Sequence, residues 1–231
     1  MWNSTNEWRP CRPGSSGGVP VKDTESGKLG LAKPQLAHRE KLAGDLAELA
    51  GVNVPKVVLA PINGGTAVHG ISIAHSKEGF DVKWFREQKP EVLDTPEMKD
   101  AFKRGSGLLA FHAWLSTGDL KDDHLAVAID STGAYTVAGV DFADSIQWQQ
   151  SDGGNVQAST GLQTLTANVD KNVIAATVDK IESVTDDQIK TVVNALPDNL
   201  PPNADKERII SGLIARRGKV RKAMKDQGWL E

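Results

Sequence analysis

Apolar positions change their spacing several times along the chain, and each change marks a predicted element. In "HREKLAGDLAEL", Leu42, Leu46 and Leu49 recur at helical spacing among charged neighbours, which predicts an amphipathic helix over 38–49 that Gly51 ends. Before it, "VPVKD" and "LGLAKP" are split by "TESGK" and read as strand, turn and strand; after it, "VPKVVLAPI" and "TAVHGISIAH" read as two further strands. "TPEMKDAFKRG" opens with an N-cap Thr95 and Pro96 at the first helical position, and "GLLAFHAWLS" continues as a mostly apolar, hence buried, helix. "HLAVAID" and "AYTVAGVDF" flank a turn at Gly133 and predict a short hairpin. The polar stretch 145–159 has no period and reads as a loop. Three helical patterns then follow, over 169–181, 186–196 and 205–227, separated by "VTDD" and "PDNLPPN".

The order is a β-rich first part with one helix, then a helical part interrupted by a hairpin. It predicts an α+β fold, and it suits two lobes with a cleft between them as well as one mixed domain. At 231 residues and 39% hydrophobic, the chain can bury a full core. A net charge of −3 and a pI near 6.0 argue against a dedicated nucleic-acid binder. The basic run "RRGKVRKAMK" is therefore read as a solvated helix face, with nucleic-acid contact as the minor alternative. Cys11 is the single cysteine, so no intramolecular disulfide forms, and no zinc-type Cys/His spacing is present. A reducing, cytoplasmic location is expected. The first residues carry no signal-peptide pattern, and no apolar run nears the roughly 20 residues a membrane span needs.

The chemistry-bearing residues change the picture most. Phosphoryl transfer needs cations to hold phosphates, carboxylates to hold a metal and a base near the acceptor hydroxyl. Asp119 opens "DLKDDH", where a kinase catalytic loop of the H-R-D-L-x-x-x-N kind has its base, and His124 falls in the slot of the Asn. "VDFAD" puts Asp141 in the slot of a D-F-G aspartate, with Ala143 in place of the glycine. Lys33 ends a predicted strand and Glu40 opens the next helix, so the lysine could hold phosphates while the glutamate fixes its ammonium. "GSSGG", Gly14, Ser15, Ser16, Gly17 and Gly18, could bring backbone N–H groups close over phosphates.

Together, "GLAKP…HREKLAGDLAELAGVNVPKVVLA" and "GLLAFHAWLSTGDLKDDHLAVAI…VDFADS" resemble the HipA-like kinases, a branch related to phosphatidylinositol 3/4-kinases. The similarity runs from about Gly14 to about Arg221, and "FHAWLSTGD" is its most specific piece. The resemblance implies a two-lobed, protein-kinase-like fold in one domain over 1–231, with an N-lobe over about 1–65 and a C-lobe over about 66–231. It also implies ATP with Mg²⁺ or Mn²⁺ as cofactors and γ-phosphate transfer to a hydroxyl, chiefly Ser or Thr of a protein, although a small-molecule acceptor stays open. By the same token an antitoxin-like protein partner is implied. Lys33 would bind phosphate, Glu40 would orient it, Asp119 would be the base, Asp141 the metal ligand, and Lys121 would neutralise the transferring phosphoryl group. Ser15 and Ser16 are candidate autophosphorylation sites.

Departures from the family pattern bear on activity. Leu120 and Lys121 replace Arg-His, Ser116 and Thr117 replace Gly-Asn, and His124 replaces the second metal ligand, Asn. Asp122 or Asp123 compensates, the metal is Mn²⁺, or turnover is lost and the chain is a pseudokinase or nucleotide-binding regulatory module. Each candidate also has a plain structural reading. "DLKDDH" is then a solvated loop, Asp141 a turn cap, Lys33 an exposed strand-end lysine, and Glu40 with Lys41 a surface helix pair. His112 reads as a core histidine, and Trp114, Trp148 and Trp229 as packing residues.

Overall fold

Strands β1 (Trp2–Ser4), β2 (Val19–Asp23), β3 (Leu29–Lys33), β4 (Val57–Pro61) and β5 (Val68–Ile73) form one antiparallel sheet, ordered β1-β2-β3-β5-β4. This is a computed structural model that describes residues 1–6, 18–33, 37–73, 83–84, 90–118, 120–129, 132–142, 145, 156, 160–197 and 205–231. The sheet curls until its edges meet. Trp2 on one edge bridges Ile62 just beyond the other, Asn63 N–H donates to Trp2 O at 2.9 Å, and Ser4 N–H donates to Asn63 Oδ1 at 2.8 Å. Edge N–H and C=O groups that would otherwise stand open are thereby paired. Inside the curl lie Val21, Ala32 and Ile71, with Trp2, Val19 and Val58 packed against them.

Helix α1 (Ala37–Ala50) spans the region between this sheet and the helices that follow. It packs on β4 and β5 and also touches the later helices Gly107–Leu115, Lys171–Ser183 and Asp186–Asn194, burying Leu42, Ala43, Leu46, Ala47 and Ala50. Its first turn sits so close to β5 that a Cβ at Gly70 would lie 3.0 Å from Ala37 Cα. Glycine at 70 sets how near α1 comes to the sheet.

The second part holds α2 (Pro90–Leu93), α3 (Pro96–Arg104), α4 (Gly107–Leu115), α5 (Gln163–Ala167), α6 (Lys171–Ser183), α7 (Asp186–Asn194), α8 (Lys206–Arg217) and α9 (Val220–Asp226). A small antiparallel sheet lies among them, ordered β6-β7-β8, from β6 (Lys83–Trp84), β7 (Leu125–Ile129) and β8 (Tyr135–Gly139). Every residue of α4 is buried, as suits a helix apolar but for His112, and α6, α8 and α9 pack around it. Thr95 accepts from Met98 N–H, Asp170 and Asp205 cap α6 and α8, and Thr185 with Gln188 forms a capping box on α7.

Several elements differ from the sequence expectation. The helix expected over 205–227 is two, because the chain turns at Gly218 and Lys219, where Lys219 N–H donates to Arg216 O at 2.8 Å. That break lets Val220 and Met224 face the core. β1, β6 and α5 are additional elements of two to five residues. β5 follows the expected lobe boundary near residue 65 but pairs with β3 and β4 in the first sheet. In the basic C-terminal run, Arg217 pairs with Asp186, Arg221 with Asp179 and Glu182, and Lys222 with Asp226. Among the described residues, no helix is long and apolar enough to cross a membrane.

Candidate active site

Lys33 is the last residue of β3, paired in register with Gly70 of β5, and its side chain runs under the first turn of α1. Its Nζ donates to Glu40 Oε1 at 2.9 Å and to Asp141 Oδ1 at 3.0 Å. Lys33 is only 5% exposed and Glu40 3%, which excludes both the exposed strand-end lysine and the surface helix pair; Lys41 instead pairs with Asp45. Burial opposes the Lys33 charge, but the charges and hydrogen bonds of Glu40 and Asp141 outweigh it and raise its pKa above the ordinary lysine value. The ammonium is thus a fixed cation. An ammonium has three donors, and two are used here.

Asp141 joins this pair from 108 residues further along the chain. It follows β8 with a left-handed backbone, φ 62°, a region that aspartate tolerates better than most residues. Just before it, Gly139 N–H donates to Asn53 O at 3.0 Å and Val140 N–H to His124 O at 2.9 Å. These bonds pin the strand end to the α1–β4 connection and to the turn before β7. Just after it, Phe142 is buried, stacked on His112 at 4.9 Å and 12° and edge-on to Phe111 at 5.8 Å. With Phe142 held inward by two α4 residues, the Asp141 side chain is left 30% exposed beside Lys33. Lys33 alone donates to it among the described residues.

The turn carrying the other candidates is built from α4 outward. α4 ends with Ser116 N–H on Ala113 O at 3.2 Å and Thr117 N–H on His112 O at 3.1 Å, with Ser116 left-handed at φ 52°. This is the usual helix-ending pair of bonds, with serine where glycine is commonest. Lys121 is exposed, and Asp122, Asp123 and His124 form a single 3-10 turn in which His124 is buried. Asp122 accepts from Thr164 N–H at 3.1 Å and Thr164 O–H at 2.7 Å. Its carboxylate thereby holds the start of α5. Among the described residues no cluster of three or more His, Cys, Asp or Glu is placed to hold a metal. Asp119, Gly14, Ser15, Ser16, Gly17, Ala143 and Trp148 lie outside the described residues; Gly18 precedes β2, against Leu31.

The candidate loop is also packed from outside. A Cβ at Gly161 would overlap the Leu120 carbonyl oxygen. Backbone cannot yield as a flexible side-chain end would, so Gly161→Ala is expected to destabilise the protein by about 1–3 kcal/mol. Thermal unfolding should show a midpoint lowered by roughly 2–12 °C; an unchanged midpoint would mean that the two segments are not in contact.

No family model matches the sequence, and no curated protein matches it. Solved structures do. The crystal structure of the Helicobacter pylori proinflammatory kinase CtkA aligns with a TM-score of 0.64, covering 96% of this chain and 94% of that one at 11% identity. The fold is kinase-like. A Shewanella oneidensis MR-1 toxin–antitoxin complex of HipA, HipB and operator DNA also aligns, at a TM-score of 0.32 and 12% identity over 90% of this chain. This chain spans about half of that one, 51%. With the fold in view, Lys33, Glu40 and Asp141 come from the curled sheet, α1 and the end of β8, three separate elements meeting at one point.

Four residues buried around the candidate site had no site role in the sequence: His112 read as a core histidine, Thr117 only as a departure from the family pattern, and Phe142 and Ser145 carried no signal of their own, Ser and Thr being common types with no spacing. Phe142 was in view only as the middle of "DFA".

Proposed function

We propose that this chain is an ATP-dependent phosphotransferase with two kinase-like lobes, passing the γ-phosphate to a hydroxyl, chiefly of Ser or Thr in a protein. The observation that supports it most is the buried Lys33 between Glu40 and Asp141. A lysine this deep with two carboxylates leaves a net negative charge, and its third donor remains for a phosphate oxygen. Glu40 would hold the ammonium in place. Asp141, a hard oxygen donor still partly exposed, suits Mg²⁺ or Mn²⁺. When bound, such an ion bridges phosphate oxygens and offsets their charge.

The remaining roles rest on the sequence resemblance. Asp119 would take the acceptor proton, Gly14 to Gly18 would lie over the phosphates, Lys121 would approach the transferring group, and His124 would stand near the metal. An antitoxin-like partner and a cytoplasmic location belong to the same proposal. A second reading, a nucleotide-binding module without turnover, is favoured by one feature: His124 stands where the family pattern has a hard oxygen ligand, and the neighbouring Asp122 carboxylate already accepts from Thr164.

Thermal unfolding tests nucleotide binding. ATP with Mg²⁺ or Mn²⁺ at about 100 times Kd should add roughly 2.7 kcal/mol, a rise of about 5–11 °C, beyond the effect of either component alone. No shift with any metal would overturn the nucleotide site itself.

A further inference from the structure

We infer that His112, Thr117 and Ser145 form a buried polar latch that positions the two arms of the candidate site, the turn leading to Asp119 and the segment following Asp141. His112 Nδ1 lies 3.1 Å from Thr117 Oγ1, and Thr117 Oγ1 lies 3.0 Å from Ser145 Oγ. The three are 1%, 2% and 0% exposed, so these contacts are shielded from competing water. They come from three places: the middle of α4, two residues before Asp119, and four residues after Asp141.

The latch closes on itself. Ser145 N–H donates to Phe142 O at 2.9 Å, and Phe142 stacks on the same His112 ring that holds Thr117. Thr117 N–H in turn donates to His112 O at 3.1 Å. The arm leading to Asp119 is therefore tied to α4 twice, by backbone and by hydroxyl, and the arm after Asp141 is tied to α4 by the Phe142 ring and to the first arm by the Ser145 hydroxyl. Moving Ser145 away from Thr117 would free the turn that follows Phe142.

The direction of the donors is assigned from the network. Burial, with the nearby His124 charge adding to it, pushes His112 down to about 3, so the ring is neutral and carries one proton. Among the described residues, His112 Nε2 is buried with no hydrogen-bond partner. Placing the proton on Nδ1 leaves a lone pair at Nε2 instead of an unpaired N–H, the rarer defect in folded proteins. His112 Nδ1–H then donates to Thr117 Oγ1, and Thr117 O–H donates to Ser145 Oγ. Thr117 is the joint of the chain, and valine, its closest isostere, can do neither job.

The inference rests on the phosphotransferase reading for what the latch positions, but the latch itself is testable without nucleotide. Amide hydrogen exchange of the free protein should show Thr117→Val and Ser145→Ala each raising exchange at the Ser145 and Val140 amides by about tenfold or more, while amides within α6 and α8 stay within about twofold. Thr117→Ser, which keeps the hydroxyl, should restore protection. The double variant should be no worse than Thr117→Val alone, since that change already removes the contact that Ser145→Ala breaks. Uniform loss across all helices, failure of Thr117→Ser to restore protection, or additive effects would overturn the latch. ATP titration of the same variants with Mn²⁺ is the second readout. Weakened affinity in Thr117→Val that Thr117→Ser restores extends the latch to ligand binding; full affinity despite lost protection overturns its positioning role. Absence of binding in the unmodified protein sinks the nucleotide site, while the exchange result still decides the latch.

Discussion

Lys33→Met is expected to cost about 3–5 kcal/mol of folding stability and to abolish nucleotide binding, and only the first loss is recoverable by a second substitution. The reason is the asymmetry of a buried ion pair. Removing the lysine leaves the Glu40 carboxylate, 3% exposed, without its counter-ion, whereas Asp141, with a side chain 30% exposed, can turn to water. Replacing both charges with apolar groups of similar volume removes the penalty, so Lys33→Met/Glu40→Leu should recover most of the stability. By unfolding midpoint, the single variant should fall by roughly 6–20 °C and the double variant should return most of the way. Neither should show an ATP-dependent shift if Lys33 holds phosphate as proposed, because its ammonium is gone in both. A single variant within about 1 kcal/mol of the starting protein would show that Lys33 is not a buried, paired charge. A double variant no better than the single would mean that Glu40 is not the group left stranded.

What could be read from the sequence follows the range of the interactions involved. α4 was legible because "GLLAFHAWL" is apolar on every side, and nothing but burial suits such a helix. α1 was legible from its leucine spacing, and β7 and β8 from two apolar runs around Gly133. β1 was not, because its three residues carry no pattern of their own and are held by β2, about 20 positions on, with Ile62 and Asn63, some 60 positions away, adding to Trp2 and Ser4. The α8–α9 break was missed because no proline marks it and apolar residues continue at helical spacing on either side.

The site divides in the same way. Lys33 and Glu40 are seven residues apart, on a strand end and the next helix, so their order alone suggested a pair. Asp141 lies 108 residues from Lys33, and only resemblance to a kinase pattern placed it in the same group before the geometry did. Within "DLKDDH" nothing separates Asp122 from Asp123; the contact with Thr164, 42 residues on, does. His112 was readable as a core histidine, but its ring stacks on Phe142, and that partner is set by the fold.

Asp119 and Asp141 are expected to fail in different ways when each is changed to asparagine. Asp141→Asn removes the anionic oxygen that Lys33 contacts at 3.0 Å and that would face the metal, so metal-dependent ATP binding should disappear along with turnover. Asp119→Asn should leave ATP binding within about twofold. Its loss belongs to the chemical step, where a positioned base contributes about 10²–10⁴-fold. Consumption of ATP, together with intact mass after incubation, reads transfer to water or to the chain itself, and added mass at Ser15 or Ser16 would identify the loop as an acceptor. If Asp119→Asn turns over at the original rate, the base lies elsewhere. If the unmodified protein binds ATP with metal but neither consumes it nor gains mass, and adds no phosphate to a generic Ser/Thr protein substrate, binding has been kept without turnover. His124→Asn then becomes the decisive substitution: it supplies the hard oxygen that neutral imidazole lacks for Mg²⁺. Activity gained by that change would locate the loss at one residue, and continued inactivity would leave a binding module built on a kinase-like fold.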